Sequence, residues 1–242
     1  SNDDKIHIQY HPTISEKENL QHSSKEKTLE ISDTKSTTRP SVGSSIQGIL
    51  FIVSGVSSRN DEVVLSLPRG KDLKNLTAQV DHRILSISNA KISNAKILSN
   101  GYLLRITDSE IKNSQLITTG IVNVFETSLT DSRIQADHEH ISAEDIQVHG
   151  KVELESKKDM VIKLAKKELE RINVELSSDH GSIYHRSREG YNPNEENKED
   201  EEFSNPYKSE KKDTQDLLVA KAGQDINLPK EEVRSPSYRH HE

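Results

Sequence analysis

Residues 87–97 read ISNAKISNAKI, with an isoleucine at every fifth position and small or polar residues between them. The spacing of five then breaks. The next strand-forming aliphatic after Ile97 is Ile106, from which the fives resume as Ile106, Ile111 and Leu116. After a gap of eight come Val124, Leu129 and Ile134, and further on Leu164, Leu169 and Val174. The unit is therefore five plus five plus eight or nine, close to nineteen residues. Two columns keep that step: Leu85, Leu104, Val122, Ile141, Ile162 and Ile183 in one, and Ile97, Leu116, Ile134, Val152 and Val174 in the other. Fixed self-similarity near twenty residues marks a repeat architecture.

Within each unit the first apolar segment alternates, as in Leu85-Ser86-Ile87, Leu104-Arg105-Ile106 and Val122-Asn123-Val124. Period-two alternation turns the aliphatics inward and the polar residues outward. The other two sides offer one inward aliphatic each, and Ser, Asn, Thr, Asp or Gly stand at the bends, where tight or left-handed backbone is tolerated. The pattern predicts an all-β fold: a single-stranded parallel β-helix (β-solenoid) with rungs of about nineteen residues and an N-terminal cap of polar strands. Residues 1–75 are expected to hold the N-terminal strands and cap, with strands such as Lys5-Ile6-His7-Ile8-Gln9-Tyr10 and Thr28-Leu29-Glu30-Ile31 and a loop at 39–45. Residues 76–188 hold the rungs, 189–216 a flexible acidic insertion, 217–228 the last rung, and 229–242 a tail. The stretch KKELERI at 166–172 fits the rung spacing and is expected as strand and bend.

Composition narrows this further. Apolar residues make up 31% of the chain, with no Trp and three Phe, so a thick aromatic core is excluded and a thin aliphatic one is favoured. The net charge of −7 is concentrated: 189–216 holds ten acidic residues against four lysines and carries −6 of it. That balance lacks the basic footprint of a nucleic-acid binder. The chain has no cysteine, which removes disulfides and thiolate metal sites. No stretch approaches the ~20 apolar residues of a membrane-spanning helix. The chain opens on Ser1 rather than Met, as a cut or processed chain would, so the lack of an N-terminal signal is uninformative. Leu228-Pro229-Lys230-Glu231 lacks the Thr-Gly and apolar tail of a sortase signal and is rejected as one.

Candidate chemistry is sparse. Asp81-His82, Asp137-His138 and Asp179-His180 recur at one corner, expected three and two rungs apart. Corners two rungs apart lie ~10 Å from each other, beyond shared ligation of one ion, so these are read as turn residues. His138 and His140 make the best local pair for zinc. Asp108, Glu110, Glu126 and Asp131, with Arg105 and Arg133, are expected on one outward face and are read as a solvated surface rather than paired catalytic carboxylates. No phosphate loop, nucleophile elbow or cysteine nucleophile is present. No catalytic, cofactor-binding or metal-ligating residue is assigned, and no cofactor is expected.

The N-terminal strand pair, the short Leu-Pro strand and the stacked Ile/Val strands resemble a bacterial adhesin family of β-strand-repeat extracytoplasmic domains, Gram-positive in type and of unknown function. The resemblance spans about 4–228. Gly101, Gly120 and Gly181 keep the glycine of that family's turn, and Asp159 and Asp225 its aspartate, while His82-Arg83, His138-Glu139-His140 and Gly120-Ile121 depart from it. The resemblance implies a parallel β-helix behind a membrane anchor, at the cell surface, acting as an adhesin or in envelope stress, without enzymatic activity. Expected partners are cell-wall or host carbohydrate or protein, with no nucleic acid and a monomeric chain. The alternatives are a bactofilin-like structural polymer, which would need open ends, and a carbohydrate-active β-helix enzyme.

Overall fold

The computed structural model describes residues 84–185, 201–210 and 212–228, with strand backbone before them at 7–11, 20–25, 28–33, 50–54, 62–66, 72–75 and 77–80. Among these residues the chain is a parallel β-solenoid with one short helix. Complete three-sided turns begin at Ile84, Leu103, Ile121 and Ile141. In the first of them Ile84–Ser88 forms the first side, Lys91–Ser93 the second and Lys96–Ser99 the third. Each strand pairs in parallel with its counterpart one turn later.

The inward columns form the core. On the first side Leu85, Leu104, Val122, Ile141 and Met160 lie in register. Leu73, Ile92, Ile111, Leu129 and Val148 line the second, and Ile97, Leu116, Ile134 and Leu154 the third. None of these side chains is more than 2% exposed. Burial of each contributes about 1.5–3 kcal/mol as an upper figure, so stability resides in the stack rather than in any one turn. Both expected columns slip at the fourth turn: Ile141 pairs with Met160 rather than Ile162, and Ile134 with Leu154 rather than Val152. All four residues face inward. A strand shifted by two keeps its buried face, which is why alternation alone could not separate them.

The five-residue spacing is a corner. In Ile87-Ser88-Asn89-Ala90-Lys91-Ile92 the isoleucines point inward, Asn89 turns the backbone at φ 50°, Ala90 is buried inside the bend and Lys91 is exposed. One corner column runs Asn89, Asp108, Glu126, Asp145, and the next runs Asn75, Asn94, Asn113, Asp131, Gly150, all at positive φ. Asn and Asp tolerate that region better than other side chains, and Glu126 is the exception. Buried hydroxyls stitch successive corners together. Ser109 Oγ accepts the Ala90 amide at 3.2 Å and donates to the Thr107 carbonyl, and Ser114 Oγ accepts the Ala95 amide at 3.0 Å and donates to the Lys112 carbonyl. At the remaining corner Gly120 passes so close to the turn before it that a Cβ would sit 2.1 Å from the Tyr102 carbonyl oxygen.

Two features depart from the sequence reading. KKELERI is not strand and bend: Lys166–Arg171 is an α-helix replacing the second side of its turn, and Leu169 packs only partly buried against the core. The helix accompanies a two-level climb. The third-side strands Lys151–Ser156 and Asn173–Ser178 do not touch, because Leu217–Ala222 lies between them, parallel to both. On the first side Ile226–Asn227 likewise separates Met160–Lys163 from Ile183–His185. The rung at 217–228 is thus last in sequence but second from the end in space.

Antiparallel strands close both ends. His7–His11 pairs with Glu62–Ser66, and Leu20–Lys25 with Thr28–Asp33, itself parallel to Leu50–Ser54. At the other end Glu201–Phe203 covers Ile183–His185 and Tyr207–Lys208 covers Asn173–Ser178. These two capping strands lie within the segment expected as an acidic insertion at 189–216. Its high charge hides two apolar anchors: the rings of Phe203 and Tyr207 stand 4.6 Å apart and pack on the core. The expected loop at 39–45, the Leu-Pro strand end, residues 189–200 and the tail at 229–242 lie outside the described residues.

Candidate functional site

Because alternate residues on each strand point outward, each side presents columns of polar groups one strand spacing apart, ~4.8 Å. On the third side the outward column runs Lys96, Gln115, Arg133, Glu153. It borders the corner of Asn94, Asn113 and Asp131, and the two together line a shallow open groove that Lys151 also reaches. Amide, ammonium, guanidinium and carboxylate groups alternate along it. Several are tied to one another: Arg133 pairs with Glu155, Lys151 with Glu153, and Asp131 Oδ1 accepts the Lys151 amide at 3.1 Å. Solvent-exposed pairs of this kind each contribute about 0–1 kcal/mol, so they order the surface more than they stabilise the fold.

The face expected to gather Asp108, Glu110, Glu126, Asp131, Arg105 and Arg133 is divided among the sides. Asp108 and Glu126 stack at the corner between first and second sides, and Asp131 lies at the next corner. Glu110 is on the second side and pairs with Lys91 at 2.6 Å, while Arg105 is on the first side and Arg133 on the third. The stacked pair does alter acidity. A hydrogen bond with Asp108 holds the Glu126 carboxyl above its ordinary value, and desolvation and the charges of Asp108 and Asp145 push the same way.

Asp137-His138 and Asp179-His180 are three levels apart rather than two, because the rung at 217–228 is inserted between them. That places them ~14 Å from each other. Asp81-His82 lies outside the described residues. His138 and His140 flank Glu139, whose carboxyl is engaged by Lys158 Nζ at 2.8 and 2.9 Å and held below its ordinary acidity range by that bond. Among the described residues no group of three or more His, Cys, Asp or Glu is placed to hold a metal ion. No described helix is long and apolar enough to cross a membrane.

The most tightly linked polar cluster escaped the sequence reading. The second side stops at Gln147–His149, and the helix caps it with side chains. Glu168 Oε1 accepts the Val148 amide at 2.7 Å, and Arg171 donates to the Val148 carbonyl and to Glu168. Arg171 also pairs with Asp216, which accepts the Gly150 amide at 2.7 Å. Burial alone would raise the Asp216 carboxyl. The Gly150 amide and the Arg171 guanidinium outweigh it, with a smaller contribution from His149, and hold the group below its ordinary value. The i,i+3 spacing of Glu168 and Arg171 was the available signal. Nothing local marked Asp216.

Three-sided parallel turns, asparagine-rich corners and polar outward columns define a β-solenoid repeat domain. The chain belongs to the Toastrack DUF4097 family, whose profile matches residues 84–229, and it shares that family's β-helix-like fold and its standing as a domain of unknown function. No curated protein and no solved structure matches the chain.

Proposed function

We propose that this chain is a non-catalytic, cell-envelope-associated β-solenoid, acting as a surface adhesin or envelope-stress component outside a Gram-positive membrane. Its anchor would lie outside the sequence. The observation that carries this reading is the outward column Lys96, Gln115, Arg133 and Glu153 beside the corner of Asn94, Asn113 and Asp131. Evenly spaced hydrogen-bonding groups of mixed charge suit weak, repeated contact with an extended cell-wall or host carbohydrate or protein, where several such contacts sum to useful avidity.

Closure of two sheets at both ends by antiparallel strands weighs against an end-stacking, bactofilin-like polymer. The second alternative is a carbohydrate-active enzyme, which needs two carboxylates facing one bond. The test has two parts. Protease added to intact cells bearing the epitope-tagged full-length protein digests the domain if it is displayed outside. Protection until lysis overturns the surface reading. Titration of the purified chain against wall polysaccharides and matrix proteins then reports binding that weakens when Arg133 and Lys96 are replaced by Ala. No binding to any of them removes the adhesin mechanism.

A further inference from the structure

The position of residues 217–228 points to a strand-accepting slot. If Leu217–Ala222 and Ile226–Asn227 were lifted out, Lys151–Ser156 and Asn173–Ser178 would face each other one strand apart on the third side, and Met160–Lys163 and Ile183–His185 on the first. The segment has no second-side strand, since that side ends at Gln147–His149. Two of its inward residues are small. Ala220 stands between Leu154 and Leu176, and Ala222 between Ser156 and Ser178, while Leu218, Ile226 and Leu228 are the larger apolar anchors.

The segment is held by main-chain pairing along both edges and by these buried side chains, with a carboxylate near each end. Asp216 accepts the Gly150 amide at 2.7 Å. Asp225 accepts the Ser182 amide at 2.9 Å and the Tyr184 hydroxyl, and its own amide donates to Asp159 at 3.2 Å. Every one of these contacts is equally available to the same segment of another molecule. We propose that this slot is an interaction site for an extended strand, filled by residues 212–228 in cis and open to the same segment of a second copy, giving a reciprocal strand-exchanged dimer. Strand addition of this kind draws affinity from main-chain hydrogen bonds and specificity from alternate side-chain pockets, and exchange of an identical element is a low-cost route to dimers.

The absence of native cysteine makes the test direct. Glu153 and Val219 are register partners across one wall of the slot, and both lie between inward neighbours, so their side chains face outward. Adjacent paired strands bring Cα atoms within the ~4.4–6.8 Å that a disulfide needs. In a full-length chain carrying both E153C and V219C, glutathione-buffered oxidation closes an intramolecular link, found by mass spectrometry. Full-length E153C and V219C chains are then mixed, incubated and oxidised. The expected product is a dimer linked 153 to 219, several-fold more abundant than either homodimer and than the dimer from Q115C with V219C, whose outward positions are three levels apart. Two results overturn the proposal: a double variant that fails to close, or one that closes while the mixed single variants give no 153–219 dimer above the Q115C control at any protein concentration.

Discussion

Val148 closes the second side of the solenoid against Glu168: its amide, which one turn further on would meet another strand, donates instead to Glu168 Oε1 at 2.7 Å. The carboxylate occupies the place of a strand carbonyl, and Arg171 supplies the missing donor to the Val148 carbonyl. A helix turn thus ends a sheet without leaving an open edge.

Glu168→Ala removes the acceptor and leaves the Val148 amide and Arg171 without it, in a place where Val148 is fully buried. The expected cost is about 1–3 kcal/mol, that of an unsatisfied buried donor. Urea denaturation should show it, with Glu168→Gln falling between the variant and the parent because the amide oxygen still accepts.

Asp216 ties the inserted rung to Arg171 and Gly150, and its carboxyl is held below the ordinary 3.8. A depressed folded value means the stabilisation is complete above the unfolded value and is lost as pH falls through the folded one. Asp216→Asn should therefore be less stable than the parent at pH 7, and the two denaturation curves should converge as pH is lowered below 3.8.

Glu126 has the opposite sign. Its carboxyl is raised above 4.5, so ionisation is disfavoured in the folded chain. The destabilisation is absent below the unfolded value and is complete above the folded one. Glu126→Gln is expected to raise the melting temperature at pH 7 and to lose that advantage below pH 4.5. Glu126→Asn should gain more at every pH, because φ at this position is 46° and Asn adopts that conformation at lower cost.

Ile111 lies mid-column between Ile92 and Leu129 and is 1% exposed. Ile111→Ala should cost about 2–5 kcal/mol through lost burial and a residual cavity. Ile111→Asp places a charge where no partner exists and should unfold several turns together. Circular dichroism and melting curves matching the parent would refute the register.

The turns were legible because their signal is local. Ile87, Asn89 and Ile92 state inward, turn and inward within six residues, and the same grammar recurs through Ile134. What failed was whatever depends on pairing rather than pattern. Val152 and Leu154 are both buried, so the choice of which aligns with Ile134 lay in the length of the corner before them. Leu218 and Ile226 announce a rung, but a rung's composition does not say between which neighbours it stacks. The helix was masked by Leu164 and Leu169 at rung spacing, although Glu168 and Arg171 mark its face. Of the candidate site, the polar columns followed from alternation, while the Glu168, Arg171 and Asp216 cluster required tertiary placement.

The out-of-order rung also sets a timetable for the nascent chain. A polypeptide emerging from its N-terminus can lay each turn on the one before it as far as Met160–Lys163, every step closing over a short loop. Asn173–Ser178 then has to wait for Leu217–Ala222, 44 residues downstream, and Gly150 for Asp216, 66 residues away. Biogenesis is therefore stepwise for most of the molecule and all-or-none for its last three levels. Any chain stalled or clipped before residue 212 would display the bare edges of Lys151–Ser156 and Asn173–Ser178 to quality-control proteases.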